Sequence, residues 1–155
     1  MLTLMACIAY LAAEAASVLV VSCTNSLTEI DTETGTVTHN VVSPGESPND
    51  ILWFQDHFFV VNSLSDDVTL QKFDPEGWTV QSLGIGPGLN CWAALPVGGD
   101  TLAVSCAAGN SIALVDASEM SLLGFVEGVG PNPEWFCVAE GRLYAACGGW
   151  LHDNK

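Results

Sequence analysis

Hydrophobic and polar positions alternate along most of the chain in short runs that end at turn residues. The stretch Thr101 to Asp116 shows the pattern most clearly. An apolar run, TLAVSCAA, leads into Gly109 and Asn110, and the alternating run SIALVD closes on an acid. A period of two predicts β-strands, and Gly-Asn is typical of the turn between them. The pattern therefore predicts two antiparallel strands here.

The same pattern recurs at a fixed spacing. Each repeat has a small residue at the end of an apolar strand, namely Cys23, Ser63, Cys106 and Cys147 at separations of 40, 43 and 41 residues. The acids that close the following strand lie 43 and 42 residues apart. A period of about 40 to 45 residues with several strands per unit is typical of β-propeller blades.

One complete unit runs from Pro48 to Gly86. It contains predicted strands at 50–54, 58–63, 68–74 and 78–83, and the sequence DPEG at 74–77 predicts a tight turn before the last strand. The run at 58–63 is apolar throughout, which predicts burial on both faces. The unit is therefore expected to be a four-stranded antiparallel meander.

The predicted fold is all-β, with about three and a half blades in an open arc. Residues 16–44 are assigned to a partial blade 1, 45–85 to blade 2, 86–129 to blade 3, and 130–155 to the first two strands of blade 4. Four-stranded blades close into rings of about four to eight. We therefore interpret the chain as part of a longer ring, with a truncated reading frame as the simplest account, or as a chain that closes by association.

Residues 1–15 have three interpretations. The apolar stretch Met1 to Ala13 is as long as the core of a signal peptide and too short to span a membrane, and Ala13-Glu14-Ala15 resembles a cleavage site. Residues 8–13 also fall where the repeat predicts the first strand of blade 1. Residues 4–7 resemble a lipoprotein cleavage box. Of these, an export signal is favoured, which predicts a periplasmic, extracellular or cell-surface location without a membrane span.

Charge narrows the range of partners. The 155 residues include 3 Lys and Arg against 18 Asp and Glu, for a formal net charge of -15. Such a chain repels phosphate backbones, so nucleic acid is not an expected partner. A protein or a small molecule is the expected partner, and the open blade edges predict self-association.

Cysteines at equivalent positions of different repeats are too far apart to form disulfides, since repeats pack about 10 Å apart and a disulfide needs Cα atoms within roughly 7 Å. We therefore expect Cys23, Cys106 and Cys147 to be packing residues. Cys91 and Cys137, on a different strand, remain candidate partners. No cysteine spacing predicts zinc.

Several motifs resemble the YVTN-type β-propeller repeat over about residues 18–149. The motifs are the loops GESP at 45–48 and GPNP at 130–133, the strand ending VVN at 60–62, and the strands NSLTEID at 25–31 and NSIALVD at 110–116. The middle loop departs from the pattern, because Leu89 stands where Pro is expected. The resemblance implies a seven-bladed propeller, frequent export, and binding or surface roles.

Candidate site residues lie where the loops between blades enter the first strands. Asn49, Asp50, Asn90, Asn132 and Glu134 would form a polar rim that faces a ligand, although satisfied loop capping is the competing interpretation.

The strand-ending acids Asp31, Asp74 and Asp116 are expected to cap their own turns rather than to bind calcium. No catalytic residues, metal site or cofactor are predicted.

These observations favour a non-enzymatic propeller segment that acts as a ligand- or protein-binding scaffold outside the cytoplasm. One alternative is a fragment of a lactonase-type hydrolase with a metal at the central opening. Another is a surface-layer or adhesion repeat.

Overall fold

The computed structural model describes residues 7–10, 17–22, 25–67 and 69–149, and residues 7–10 and 17–22 are described by their backbone alone. Every helix or strand in these ranges is a β-strand, as predicted. The strands are, in chain order, β1 (Cys7–Tyr10), β2 (Ser17–Ser22), β3 (Ser26–Asp31), β4 (Val37–Val42), β5 (Pro48–Phe54), β6 (His57–Asn62), β7 (Leu70–Phe73), β8 (Val80–Leu83), β9 (Cys91–Gly98), β10 (Thr101–Cys106), β11 (Ser111–Asp116), β12 (Ser121–Glu127), β13 (Pro133–Ala139) and β14 (Arg142–Cys147).

The strands form four antiparallel sheets, each in simple sequence order. Strands β1 to β4 form blade 1, β5 to β8 blade 2, β9 to β12 blade 3, and the hairpin β13–β14 blade 4. Neighbouring strands in each sheet are consecutive in the chain and antiparallel, which is the meander that the alternating pattern predicts. The all-β blade architecture is confirmed, and the sheets are open rather than closed into barrels.

The first strand of blade 1 lies near the N-terminus. Residues Cys7 to Tyr10 of β1 pair with Val21 to Val18 of β2. The repeat phase placed this strand at 8–13, slightly later in the chain. The remaining residues of the 1–15 segment that was interpreted as an export signal lie outside the described residues.

Strand β6 shows why the blades stack. Phe58 and Val60 are buried in a cluster with Leu27 of blade 1, whereas Phe59 and Val61 are buried in a cluster with strands of blade 3. Successive side chains of a strand point to opposite faces, so a continuous apolar run buries both faces of a blade. The prediction of a doubly buried strand is confirmed.

The first strands of the blades lie side by side along one wall of the arc. Strand β5 contacts β1 on one side and β9 on the other, and β9 in turn contacts β13. The fourth strands β4, β8 and β12 carry more exposed side chains than the strands before them. We call the first strands β1, β5, β9 and β13 the inner strands. These strands, and the loops that lead into them, position the predicted rim.

Two polar contacts tie blade 2 to blade 3 away from these loops. The Nζ of Lys72 donates to the carbonyl of Ala117 at 3.1 Å and lies 5.9 Å from the centre of the Phe59 ring. The side-chain amide of Gln55 donates to the carboxylate of Asp100 at 2.5 Å. The only described lysine therefore serves the stacking of blades.

Candidate functional site

Asp50 is the most buried acid of the predicted rim, with 5% of its surface exposed. One carboxylate oxygen accepts from the backbone N–H of Ile51 at 2.9 Å, and the other accepts from the N–H of Ala94 on β9 at 2.9 Å. The side chain thus joins the inner strands of blades 2 and 3. A β-bulge in β5 beside Asp50 gives the strand its local bend.

Asn90 and Asn132 occupy equivalent places in two successive loops. Both have left-handed backbone conformations, with φ of 49° and 51°. The Nδ2 of Asn132 donates to the carbonyl of Ala107 at 3.0 Å. With its amide in the orientation that satisfies both groups, Asn90 donates to the carbonyl of Ser63 and accepts from the indole N–H of Trp92, each at 3.2 Å. Each asparagine therefore bonds its own loop to the preceding blade.

The register changes which rim residues are equivalent. Pro48 pairs with Asn62 and Pro133 pairs with Cys147, so Asn49 and Glu134 take the same position, as predicted. Asn90 does not belong with them. Its equivalents are Ser47 and Asn132, which share its positive φ. The sequence assignment was two residues off because the loop before β9, at 84–90, is longer than the equivalent loops at 43–47 and 128–132.

Asn49 and Glu134 are half-buried. The backbone carbonyl of Glu134 accepts from Oγ of Ser105 at 2.9 Å, which links blade 4 to blade 3. The carboxylate of Glu134 lies directly over Gly148, where a Cβ would collide with it. The structure thus brings the five predicted rim residues to one end of the inner strands, where Asp50, Asn90 and Asn132 make contacts between blades.

The strand-ending acids cap their own turns, as predicted. Oδ1 of Asp116 accepts from the backbone N–H of Glu119 and of Ser118, both at 2.9 Å. Asp31 makes the same pair of bonds with Thr34 and Glu33. The bonds from Thr34 and Glu33 lower the pKa of Asp31, and those from Glu119 and Ser118 lower the pKa of Asp116.

In blade 2, Oδ1 of Asp74 accepts from the N–H of Glu76 at 2.8 Å. All three repeated acids are therefore turn caps.

The cysteines are arranged differently from the sequence prediction. Cys106 and Cys147 are equivalent, but the register assigns Ser22 and Asn62 to this position instead of Cys23 and Ser63. Cys23 itself lies outside the described residues. Cys91, Cys106, Cys137 and Cys147 are free thiols. The suggested Cys91–Cys137 pair is wrong, because Cys91 is buried opposite Cys106 within blade 3 and Cys137 is exposed.

A groove of about 250 Å³ lies across the inner strands of blades 2, 3 and 4. Most of its lining is apolar or aromatic, from Ile51, Leu52, Ala93, Ala94, Leu95, Trp135 and Phe136, and Asp50 completes it. Sequence reasoning missed this surface, because the lining residues come from three strands about 40 residues apart.

The outer edge of β14 is the main structural difference between blade 4 and the others. In blade 3, β10 pairs with β9 on one side and β11 on the other, and all of its side chains except that of Thr101 are buried. Among the described residues, β14 pairs only with β13. Its side chains are exposed or half-buried, and 48% of Tyr144 is exposed.

Within the described ranges, no three His, Cys, Asp or Glu side chains come close enough to one another to hold a metal ion. The same residues form no helix with the length and apolar character needed to cross a membrane.

Solved structures share this fold. A catalytically inactive virginiamycin B lyase from Staphylococcus aureus, with quinupristin, aligns at a TM-score of 0.70 and 17% identity over 90% of this chain and 47% of that one. The computationally designed protein Ika8 aligns at 0.68 and 13% identity, over 89% and 42%. The extracellular domain of a hybrid two component system from B. thetaiotaomicron aligns at 0.63 and 10% identity, over 83% and 19%.

The chain spans less than half of the length of each of these proteins. No protein-family model matches the sequence, and no curated protein matches it. At such low identities the likeness shows the fold alone, namely β-propeller blades.

Proposed function

We propose that this chain is a β-propeller segment that works as a protein-binding scaffold, not as an enzyme, and that it binds a β-hairpin along the outer edge of β14. The hairpin, from the same polypeptide or from another, supplies the third and fourth strands of blade 4. The observation that carries the proposal is that, within the described residues, β14 pairs with β13 alone.

The backbone of β14 has the orientation that strand addition needs. In blade 2, Asn62 takes the position of Cys147, and its N–H donates at 2.8 Å to the carbonyl of Thr69, the residue just before the third strand. The N–H of Cys147 therefore points away from β13. By the alternation of strand geometry, the N–H of Ala145 does the same. These donors form a template for another strand.

The internal repeat specifies the chemistry of the occupant. In blades 1 and 3 the strand that pairs along this edge has a similar sequence, SLTEID in β3 and SIALVD in β11. Each of these strands ends on an Asp that caps the following turn. The partner is thus a polypeptide hairpin with an alternating strand that ends in such a turn. A YVTN-type repeat in the same or another chain would have this pattern.

The polar rim supports a scaffold role because its best-connected side chains serve the stacking of blades. Asp50 and Asn132 each bond a backbone group of a neighbouring blade. Rigid stacking would hold the β14 edge in a fixed conformation, which reduces the entropy lost on binding. We also propose that the segment works outside the cytoplasm, consistent with the extracellular domain among the matching structures.

The test uses a fluorescently labelled peptide of residues 110–127, which spans β11 and β12, and a scrambled peptide as its control. We expect saturable binding to the chain by fluorescence anisotropy. Ala145→Pro should abolish binding, because it removes an outward N–H while leaving the bonds to β13 in place. Ala145→Ser keeps the N–H and should bind like the parent.

A peptide carrying Ala113→Pro tests the same contact without altering the protein. Equal binding by the scrambled peptide or by the Ala145→Pro variant would contradict the proposal. Stable self-association, detected by light scattering and lost in the Ala145→Pro variant, would identify a second copy as the occupant and overturn the hairpin assignment in favour of an adhesion repeat.

A further inference from the structure

Two free thiols face each other inside blade 3. Cys91 on β9 and Cys106 on β10 are directly opposite in the antiparallel register, and their Sγ atoms are 3.3 Å apart. Both side chains are buried, with 1% and 0% of their surface exposed. Nothing in the proposed binding role uses this pair.

The backbone at this point suits a covalent link. The N–H of Ala107 donates to the carbonyl of Asn90 at 3.2 Å, so the bond joins the residues that flank the cysteines. Cys91 and Cys106 therefore occupy a non-hydrogen-bonded position of the ladder, where opposing Cα atoms are about 4.5 Å apart and side chains are closest. A disulfide needs a Cα separation of about 4.4 to 6.8 Å, which this position provides without backbone movement.

We propose that Cys91 and Cys106 form a redox site, at which hydrogen peroxide oxidises the two thiols to a disulfide within blade 3. One of the two sulfurs attacks a peroxide oxygen, the O–O bond breaks, and a sulfenic acid and one water result. The other sulfur then attacks the sulfenic acid, an S–S bond forms as the S–O bond breaks, and a second water carries away the remaining thiol proton. Each cysteine sulfur loses one electron, and the peroxide oxygens gain two.

The two sulfurs share one hydrogen bond, which lowers the pKa of the Cys106 thiol, whereas the same bond and burial raise the pKa of Cys91. The thiolate is the nucleophile in the first step and the neighbouring thiol closes the disulfide in the second, so the product is the same whichever sulfur reacts first.

Access to the pair depends on the loop between blades 2 and 3. Leu89 packs against the buried cluster that contains both cysteines, and the sequence before it is Gly84-Ile85-Gly86-Pro87-Gly88. Hydrogen peroxide is small enough to enter through a local opening of this glycine-rich segment. The disulfide would then fix the start of β9 to the end of β10 beneath it.

The experiment uses the full chain with Cys7, Cys23, Cys137 and Cys147 replaced by Ser, so that only the pair remains. Hydrogen peroxide should lower the intact mass by two hydrogen atoms and raise Tm, because a cross-link restricts the unfolded chain. Dithiothreitol should reverse both changes. The matched control carries Cys106→Ala in addition and should show neither change.

Peptide mapping of the unsubstituted chain under non-reducing conditions provides a readout that does not depend on how well the variants fold. The expected result is a Cys91–Cys106 linkage formed under native conditions. Recovery of the two residues as free thiols, as separate sulfinic acids, or as a linkage that forms only in denaturant would overturn the proposal.

Discussion

Single residues show how tightly the loops between blades are packed. A Cβ built on Gly84 would lie 2.9 Å from the carbonyl oxygen of Asp66 and 3.1 Å from that of Asp67. Both neighbours are backbone atoms, which cannot rotate away as a side chain can. The φ of Gly84 lies outside the left-handed region, so its backbone conformation alone does not require glycine. Glycine is needed because only a residue without a Cβ allows these two carbonyls to approach so closely.

Gly84→Ala is predicted to lower the free energy of unfolding by about 1–3 kcal/mol, the usual cost of overpacking. Gly77→Ala is the matched control, since its Cβ would meet only Cγ2 of Thr79 at 3.9 Å. That variant should be neutral or more stable by up to about 1 kcal/mol, because Ala has fewer unfolded conformations than Gly. Urea denaturation of both variants measures the difference, and equal stabilities would refute the packing argument.

At the residue scale, the sequence correctly predicted which side chains cap the turns. The acids at 31, 74 and 116 cap their turns because the carboxylate and its N–H partners lie two or three residues apart. The cysteine pair could not be predicted in this way. Cys91 and Cys106 are 15 residues apart, and a bulge in β9 shifts the register that brings them together.

At the scale of strands, Asp50 is the clearest link between blades. Its two oxygens take one N–H each, from Ile51 in its own strand and from Ala94 in the next blade. An amide has only one acceptor oxygen, so an Asn side chain here must turn its NH₂ group toward one of these N–H donors. The carboxylate, not merely a polar side chain, is required.

Asp50→Asn is therefore predicted to lower the free energy of unfolding by about 1–3 kcal/mol, the cost of leaving a buried donor without its acceptor. Asp56→Asn removes the same charge from an exposed turn, where φ is 60° and Asn is well tolerated. This control should change stability by less than about 0.5 kcal/mol. If both variants unfold at the same urea concentration, Asp50 does not link the blades.

The positions of strands could be predicted where hydrophobic and polar residues alternate clearly. The register in which neighbouring strands pair could not be predicted. The run at 58–63 was expected to be buried on both faces, and the structure buries Phe58 and Phe59 toward different blades. The expected equivalence of Asn90 with Asn49 and Glu134 was wrong, because the loop at 84–90 is longer than those at 43–47 and 128–132, and a hydrophobic pattern does not show which loop residues are extra. Only the paired backbone shows which residue of a bulged strand faces its neighbour.

At the scale of the whole molecule, exposure follows the number of neighbouring strands. Strands β10 and β14 have equivalent positions, but β10 lies between two partners and is almost wholly buried, whereas β14 has one described partner and is largely exposed. Cys106 and Cys147 illustrate the contrast, since the first is buried and the second exposed. Strands with similar sequences are thus buried or exposed according to whether they have one or two neighbouring strands.

The net charge of -15 bears on how that edge is used. Two copies of this chain repel each other, most strongly at low ionic strength. The repulsion favours a hairpin from a different partner, or one attached to the same chain, over association between free copies.

Amide hydrogen exchange along β14 tests the proposed binding edge most directly, with β10 of the same molecule as the internal standard. In the chain alone, the alternate β14 amides that face away from β13 should exchange much faster than their counterparts in β10. Addition of the 110–127 peptide should slow them toward the β10 rates. Outward β14 amides that are already as protected as those of β10, or that gain no protection from the peptide, would contradict the account.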